Sequence, residues 1–209
     1  MQGRVVRPGL VNAPCCIYLP PHGIFLSIMI KEWELLESKV DRDYRVFRIQ
    51  SELAVSPRTK KVGTFYTIDT RDWVNVIPVT PEGKIVMIKQ YRHGSKEVTL
   101  EIPGGLVDEE DAGEAAQREL LEETGYAGDS VQLLGFVNPN PAIFNNRCYT
   151  YLIENAREIS EKALDPDEDI EVVLMSSDEI PPIIAGGGIN HSLVIVAFHF
   201  YFMKKLCSQ

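Results

Sequence analysis

The chain has 209 residues, 44% of them hydrophobic and 24% charged, with a formal net charge of -9 at pH 7. That length and apolar content support one sizeable core plus a small second module. The acidic balance, with a pI near 5.0, disfavours nucleic-acid polymers and anionic membranes as partners, because neither polyanionic surface attracts such a protein.

Residues 1–28 carry four of the prolines and little periodicity. They read as an extension, disordered or mis-assigned, with the natural start at Met29. The apolar run 23–30 is too short to span a bilayer, and no small-residue cleavage site follows it. Three strands come next, over 33–40, 45–54 and 62–68, with turn signals at 41–43 and 56–59. A three-stranded sheet of that size is marginal alone and must pack on something, which makes 29–70 a small antiparallel β-module ahead of a larger unit over 71–209. The larger unit begins with strands over 73–79, 84–91 and 98–102, with a hairpin turn at 80–83. A glycine turn and an acidic helix closed by Gly125 follow. Strands are then expected over 131–137, 148–154 and 170–175, with a short helix over 177–184 capped by Ser176 or Ser177 and a longer one after Gly188. The run 193–203 suits a buried C-terminal helix by its length. Cys15, Cys16, Cys148 and Cys207 show no CxxC spacing and two are adjacent, so neither a zinc site nor a disulfide framework is indicated and a reducing cytoplasm fits best.

The stretch from Gly104 to Tyr126, GGLVDEEDAGEAAQRELLEETGY, carries the chemistry. On a helix Glu119 and Glu123 stand one turn apart, with Glu122 beside them on the same side. Three carboxylates held that close raise one another's pKa unless a cation neutralises them. Mg²⁺ suits the task, being a hard ion that takes carboxylate oxygens and shares its remaining sites with substrate phosphates. Mn²⁺ would serve in its place. The alternative is a solvated acidic face, but Ala112 and Ala116 share the arc of Glu119 and Glu123, so the acidic side adjoins a packing face. Arg118 can hold a carboxylate in a fixed fork and orient the site. Gly104 and Gly105 let backbone approach a metal with no Cβ in the way.

Read position by position, the stretch gives Gly104, five residues, Glu110, seven residues, then Arg118, Glu119, Leu120, any residue, Glu122, Glu123, any residue, Gly125 and a bulky side chain. This resembles the Nudix box, and a softer similarity to the Nudix hydrolases runs from about Trp73 to the C-terminus. At roughly 7% usage per residue type, the seven positions other than Leu120 recur together by chance about once in 10^8 starting points. Two departures stand out: counted from Gly105 the loop to Glu110 is one residue short, and Tyr126 replaces an aliphatic residue. The resemblance implies an α/β/α sandwich around a mixed sheet, preceded by the N-terminal β-sheet. It also implies hydrolysis of a nucleoside diphosphate linked to another moiety. By the same analogy Glu119, Glu122 and Glu123 bind the ions with help from the Gly104 backbone, and a metal-activated water attacks one phosphorus of the bridge.

In the ADP-ribose pyrophosphatase branch that the chain resembles, a small N-terminal sheet pairs the subunits of a homodimer and helps build the nucleotide site. Arg92 is similar to an arginine that binds substrate phosphates there, and Pro141, fifteen residues beyond Tyr126, resembles a proline that marks ADP-ribose enzymes. The continuation Ala142, Ile143, Phe144 departs from the branch's glycine-rich one and leaves nucleoside diphosphate sugars as the class. The acidic loop 165–171 occupies the place of the general base, with Glu168 the first choice and Asp167 the second. Glu101 is expected to partner Arg118, His93 to contact substrate and His199 to pack in the core. Three readings follow: a Mg²⁺-dependent pyrophosphatase acting on ADP-ribose or a nucleotide sugar; a Nudix enzyme for another substrate such as a dinucleoside polyphosphate or oxidised nucleotide; and a non-catalytic ADP-ribose-binding regulator. The first fits best, because the carboxylates are complete and the N-terminal sheet is present.

Overall fold

The computed structural model describes residues 30–166 and 168–207; the reading of 1–28 as an extension, the start at Met29, and Asp167 lie outside them. Strands β1 (Glu34–Tyr44), β2 (Phe47–Val55) and β3 (Val62–Thr70) form an antiparallel sheet with β2 at its centre. The turn expected at 41–43 lies instead within β1, which runs on to Tyr44. Register shifts beside Leu35 and Val40 accommodate the extra residues as bulges, and the Ser51 hydroxyl donates to Asp41 Oδ1 at 3.1 Å. The hairpin therefore turns two residues later, at Arg45 and Val46.

The second sheet holds β4 (Trp73–Val79), β5 (Lys84–Arg92), β6 (Glu97–Glu101), β8 (Ser130–Val137), β9 (Cys148–Glu154) and β11 (Ile170–Ser176), in the order β11-β5-β4-β9-β8 with β6 also on β5. It is mixed: β4 and β9 run parallel and the other pairings of this sheet are antiparallel. Two-residue strands β7 (Tyr126–Ala127) and β10 (Arg157–Glu158), too short to show a periodicity, pair with each other.

Both faces of this sheet are covered, which is why β4 reads as a nearly unbroken apolar run. Val74 and Val76 face α1 (Ala112–Thr124) and pack with Ala115, Ala116 and Leu120. Ile77, Ile85 and Met87 face the other way, against α2 (Ile180–Ala185) and α3 (Ser192–Cys207), where Ile180, Val194, Ala197 and Phe198 meet them. The expected α/β/α sandwich results. Asp111 caps α1 by accepting from the Gly113 and Glu114 N–H groups at 2.7 and 3.1 Å, and Gly125 ends it in the left-handed region at φ 77°. No helix among the described residues is long and apolar enough to cross a membrane.

Candidate active site

The site begins where two neighbouring strands part. β4 and β5 share only the Val79–Ile85 pairing. Beyond it β5 pairs with β6, and β4 takes up the segment 103–107 instead: Val76 N–H donates to the Pro103 carbonyl at 2.8 Å, Val74 N–H to that of Gly105 at 2.9 Å, and Val107 N–H to that of Asp72 at 2.9 Å. The glycine loop is thus wedged into the split, with α1 across it. A Cβ on Gly104 would collide with the Val74 carbonyl, so only glycine fits there, and one on Gly105 would displace the Glu119 carboxylate. Gly104 N–H donates to Glu123 Oε2 at 2.9 Å, and no donor among the described residues takes the Gly104 carbonyl.

Arg118 ties the acidic helix to this loop. Its Nη1 reaches Glu119 Oε1 and Glu122 Oε2, both at 2.9 Å, while Nη2 donates to Glu110 Oε1 and to the Leu106 carbonyl, also at 2.9 Å. Burial works against the guanidinium's charge, yet the surrounding carboxylates outweigh it and raise its pKa. Glu110 is held by this arginine, and the helix cap is Asp111. Glu123 is 2% exposed. Burial, with Glu119 and Glu168 nearby, pushes its carboxyl well above the ordinary range against the pull of the Gly104 N–H. Burial likewise raises Glu119, with Arg118 opposing. Two carboxyls, one buried and one half-buried, that are reluctant to ionise are what a site built for added positive charge presents.

Glu101 corrects its expected partner. It belongs to Arg92, not Arg118, in a two-point fork from Nε to Oε1 (2.8 Å) and from Nη2 to Oε2 (2.7 Å). Burial would raise Glu101, but the fork, with Thr99 Oγ1 at 2.5 Å, holds it below the ordinary carboxylate value. The reason is register: Arg92 and Glu101 lie on paired strands, β5 and β6, whose pairing sets the two side chains on one face.

The acidic loop is docked on the end of α1 by Ala163 N–H, which donates to the Glu122 carbonyl at 2.9 Å, and Lys162 Nζ binds the Ile170 carbonyl across the loop's base. Glu168 closes a small turn with Asp165: its N–H donates to the Asp165 carbonyl at 2.9 Å and its Oε2 accepts from Asp165 N–H at 3.1 Å.

A cleft of about 940 Å³ brings these elements together. Gly104, Arg118, Glu119, Glu122, Glu123, Arg92 and Glu168 all line it. Pro141 does not; it sits on an exposed turn, while Phe144 of the same loop lines the cleft. His93 opens instead on a side pocket of about 330 Å³ with Tyr91 and Asp169. The N-terminal sheet supplies Arg45, Phe47, Ile68 and Thr70 to the wall. The loop 138–147 is strapped to β3: Ile68 N–H donates to the Ile143 carbonyl at 2.7 Å, Thr70 N–H to Asn145 Oδ1 at 3.1 Å and Asn145 Nδ2 to Asp69 Oδ1 at 2.6 Å. Asp72 Oδ1 accepts from Arg147 N–H at 2.7 Å. This strap went unread in the sequence, where the Asn145-Asn146 pair and the acidic residues around Arg71 were its only trace. Among the described residues no group of three or more His, Cys, Asp or Glu side chains stands ready to hold a metal ion. Arg118 bridges Glu119 and Glu122 here, and Glu123 is turned to Gly104.

A family model, the NUDIX domain, matches residues 69–192. The chain belongs to the Nudix family. It is a Nudix hydrolase, and the match covers the split sheet, the glycine loop, α1 and the acidic loop. Over 134 residues it is 29% identical to the ADP-ribose pyrophosphatase of Bacillus subtilis, covering 63% of this chain and 72% of that one. Over a further 134-residue match it is 31% identical to the methanol dehydrogenase activator of Bacillus methanolicus, with the same shares covered. A solved structure described as an ADP compounds hydrolase superposes with a TM-score of 0.75 at 19% identity, covering 85% of this chain and 97% of that one, a likeness of fold.

Proposed function

We propose that this Nudix hydrolase cleaves the pyrophosphate bond of ADP-ribose or a nucleoside diphosphate sugar with Mg²⁺, or Mn²⁺ in its place, giving a nucleoside monophosphate and a sugar phosphate. The observation that carries the reading is the convergence of Glu119, Glu122, Glu123 and Glu168 with Arg92 in a cleft to whose wall the N-terminal sheet adds Phe47 and Ile68. The donor set fits a hard divalent ion: oxygen atoms only, two carboxyls raised by burial, and the untaken Gly104 carbonyl. Bound there, the ion would offset charge on the diphosphate and make a water a better nucleophile.

The protein's own groups do the rest. Arg92, pinned by Glu101, presents its remaining N–H groups to phosphate oxygens. Arg118 fixes Glu119 and Glu122 against the glycine loop. Glu168 takes the proton of the attacking water at its carboxylate, leaving its turn with Asp165 to do so. The division into an N-terminal module over 29–70 and a catalytic domain over 71–209 belongs to the same reading. So does a homodimer through the N-terminal sheet, supported by the exposure of Leu35, Leu36, Val40, Tyr44 and Tyr66, each near half or more. A reducing cytoplasm is supported by Cys148, a buried free thiol. The readings as an enzyme for dinucleoside polyphosphates or oxidised nucleotides, or as a regulator without catalysis, have no observation of their own in favour.

With Mg²⁺, a panel of ADP-ribose, nucleotide sugars, dinucleoside polyphosphates and nucleoside triphosphates is expected to give fast release of nucleoside monophosphate from the first two groups. Sedimentation at about twice the chain's mass is expected alongside. Preference for a triphosphate or a dinucleoside polyphosphate would contradict the substrate class.

A further inference from the structure

Arg45, Arg71, Arg92 and Arg118 line the cleft. Arg118 has no hydrogen left for a ligand. Its Nε donates to Glu110, its Nη1 to Glu119 and Glu122, and its Nη2 to Glu110 and the Leu106 carbonyl, which takes up every N–H of a guanidinium. Arg71 is held far more lightly. It lies in the link between β3 and β4, and its Nη1 pairs with Asp108 Oδ1, each side chain being 48% exposed. No other carboxylate among the described residues pairs with it. Its place is nonetheless defined at both ends. The Arg71 carbonyl accepts from Asn146 Nδ2 at 3.0 Å, and Asp108 Oδ2 stands 4.0 Å from Arg118 Nη2. The Arg71 guanidinium therefore reaches the rim of the glycine loop, beside the fork that fixes Glu119 and Glu122.

An ion pair this exposed is worth little, because water screens it. A phosphate offers a guanidinium more, since two of its charged oxygens match the fork. Asp108 is therefore a partner that a phosphate can displace. On the other side of Arg71 the wall is apolar and aromatic, with Phe47, Ile68, Trp73 and Phe144, a surface that suits the flat base of a nucleoside. Arg71 thus stands where that wall meets the carboxylates of α1. We infer that Arg71 binds substrate: its guanidinium leaves Asp108 to grip the phosphate adjoining the nucleoside, and Asp108 competes with that phosphate for it. The two members of the pair then act on affinity with opposite sign, which a pair that merely braced the fold would not do.

The inference rests on the cleft's reading as a nucleoside diphosphate site, so its test is binding without turnover. Nucleoside monophosphates have no pyrophosphate bond to lose. Calorimetric titration with Mg²⁺ present would take the tightest of AMP, GMP and UMP on the wild type and measure it on Arg71→Gln, Asp108→Asn and the double variant. Both side chains are half exposed, so the variants are expected to fold, which melting curves check. Arg71→Gln is expected to bind the nucleotide about 10-fold more weakly, the scale of losing a charge-assisted contact. Asp108→Asn is expected to bind it about two- to five-fold more tightly, the worth of the exposed pair that no longer has to be broken. On the Arg71→Gln background the same Asp108 change gains less. The inference is overturned if Arg71→Gln binds the nucleotide as the wild type does, or if Asp108→Asn binds it no more tightly than the wild type. It is overturned equally if Asp108→Asn gains as much with Arg71 absent as with it present, or if the wild type binds none of the three nucleotides. Hydrolysis of nucleotide sugars by the wild type is measured separately, so failure of the inference and failure of the proposed function are told apart.

Discussion

Glu122→Gln is expected to lower turnover on ADP-ribose at least about 10²-fold, the scale of losing one strong electrostatic stabiliser, with the thermal midpoint little changed. The side chain is 43% exposed and meets Arg118 Nη1 at 2.9 Å, a contact the glutamine oxygen keeps. What the substitution removes is negative charge at the one member of the trio open enough to meet a cation and a phosphate together. Steady-state kinetics beside a melting curve check the outcome. Turnover within a few-fold of wild type would remove Glu122 from the reaction.

Glu123→Gln is expected to act in two opposite directions, abolishing activity while stabilising the protein in EDTA. Burial, with Glu119 and Glu168 close by, holds the Glu123 carboxyl well above 4.5, and burial raises Glu119 as well. Above the ordinary carboxylate value the folded protein therefore binds more protons at these groups than the unfolded chain does. Their contribution to stability is fully present below about 4.5 and is lost as pH rises through the raised folded values. Glu101, held low by its fork with Arg92, contributes in the opposite sense: its stabilisation is present above 4.5 and is lost only as pH falls below it. The melting temperature in EDTA should thus fall as pH rises above about 4.5 in the wild type and fall less in Glu123→Gln. At the upper end the variant should melt higher, by about 2–4 °C for each kcal/mol gained. The contact to Gly104 survives the substitution, because the new amide oxygen still accepts from that N–H. Parallel profiles for the two proteins would mean that Glu123 is not the strained group.

Local pattern carried much of this molecule. The alternation of the strands, the Gly125 cap of α1 and the spacing of Arg118, Glu119, Glu122 and Glu123 depend on neighbours within a turn or a hairpin, where period and chemistry can be read along the chain. What escaped was set by contacts between distant segments. The wedging of 103–107 between β4 and β5 follows from strand order, and no residue pattern announces it. Glu101 was matched to the wrong arginine because Arg92 becomes its neighbour only through the β5–β6 register. Asp41 looked like a turn residue, and a bulge absorbed it. Asn145 and Asn146 resembled any polar loop, yet they meet β3 and Arg71 some seventy-five residues earlier in the chain. Pro141 was chosen by its spacing, while the residues of its loop that line the cleft are Phe144 and Asn146.

Binding of Mn²⁺, followed by its electron paramagnetic resonance signal, tests most directly whether the carboxylates of α1 and the glycine loop form a cation site. Wild-type protein should remove free ion from solution, more so with AMP present. A variant with glutamine in place of Glu119, Glu122 and Glu123 together should leave the free-ion signal as it is in buffer. Equal Mn²⁺ binding by the two proteins would place the ions elsewhere and contradict the assignment.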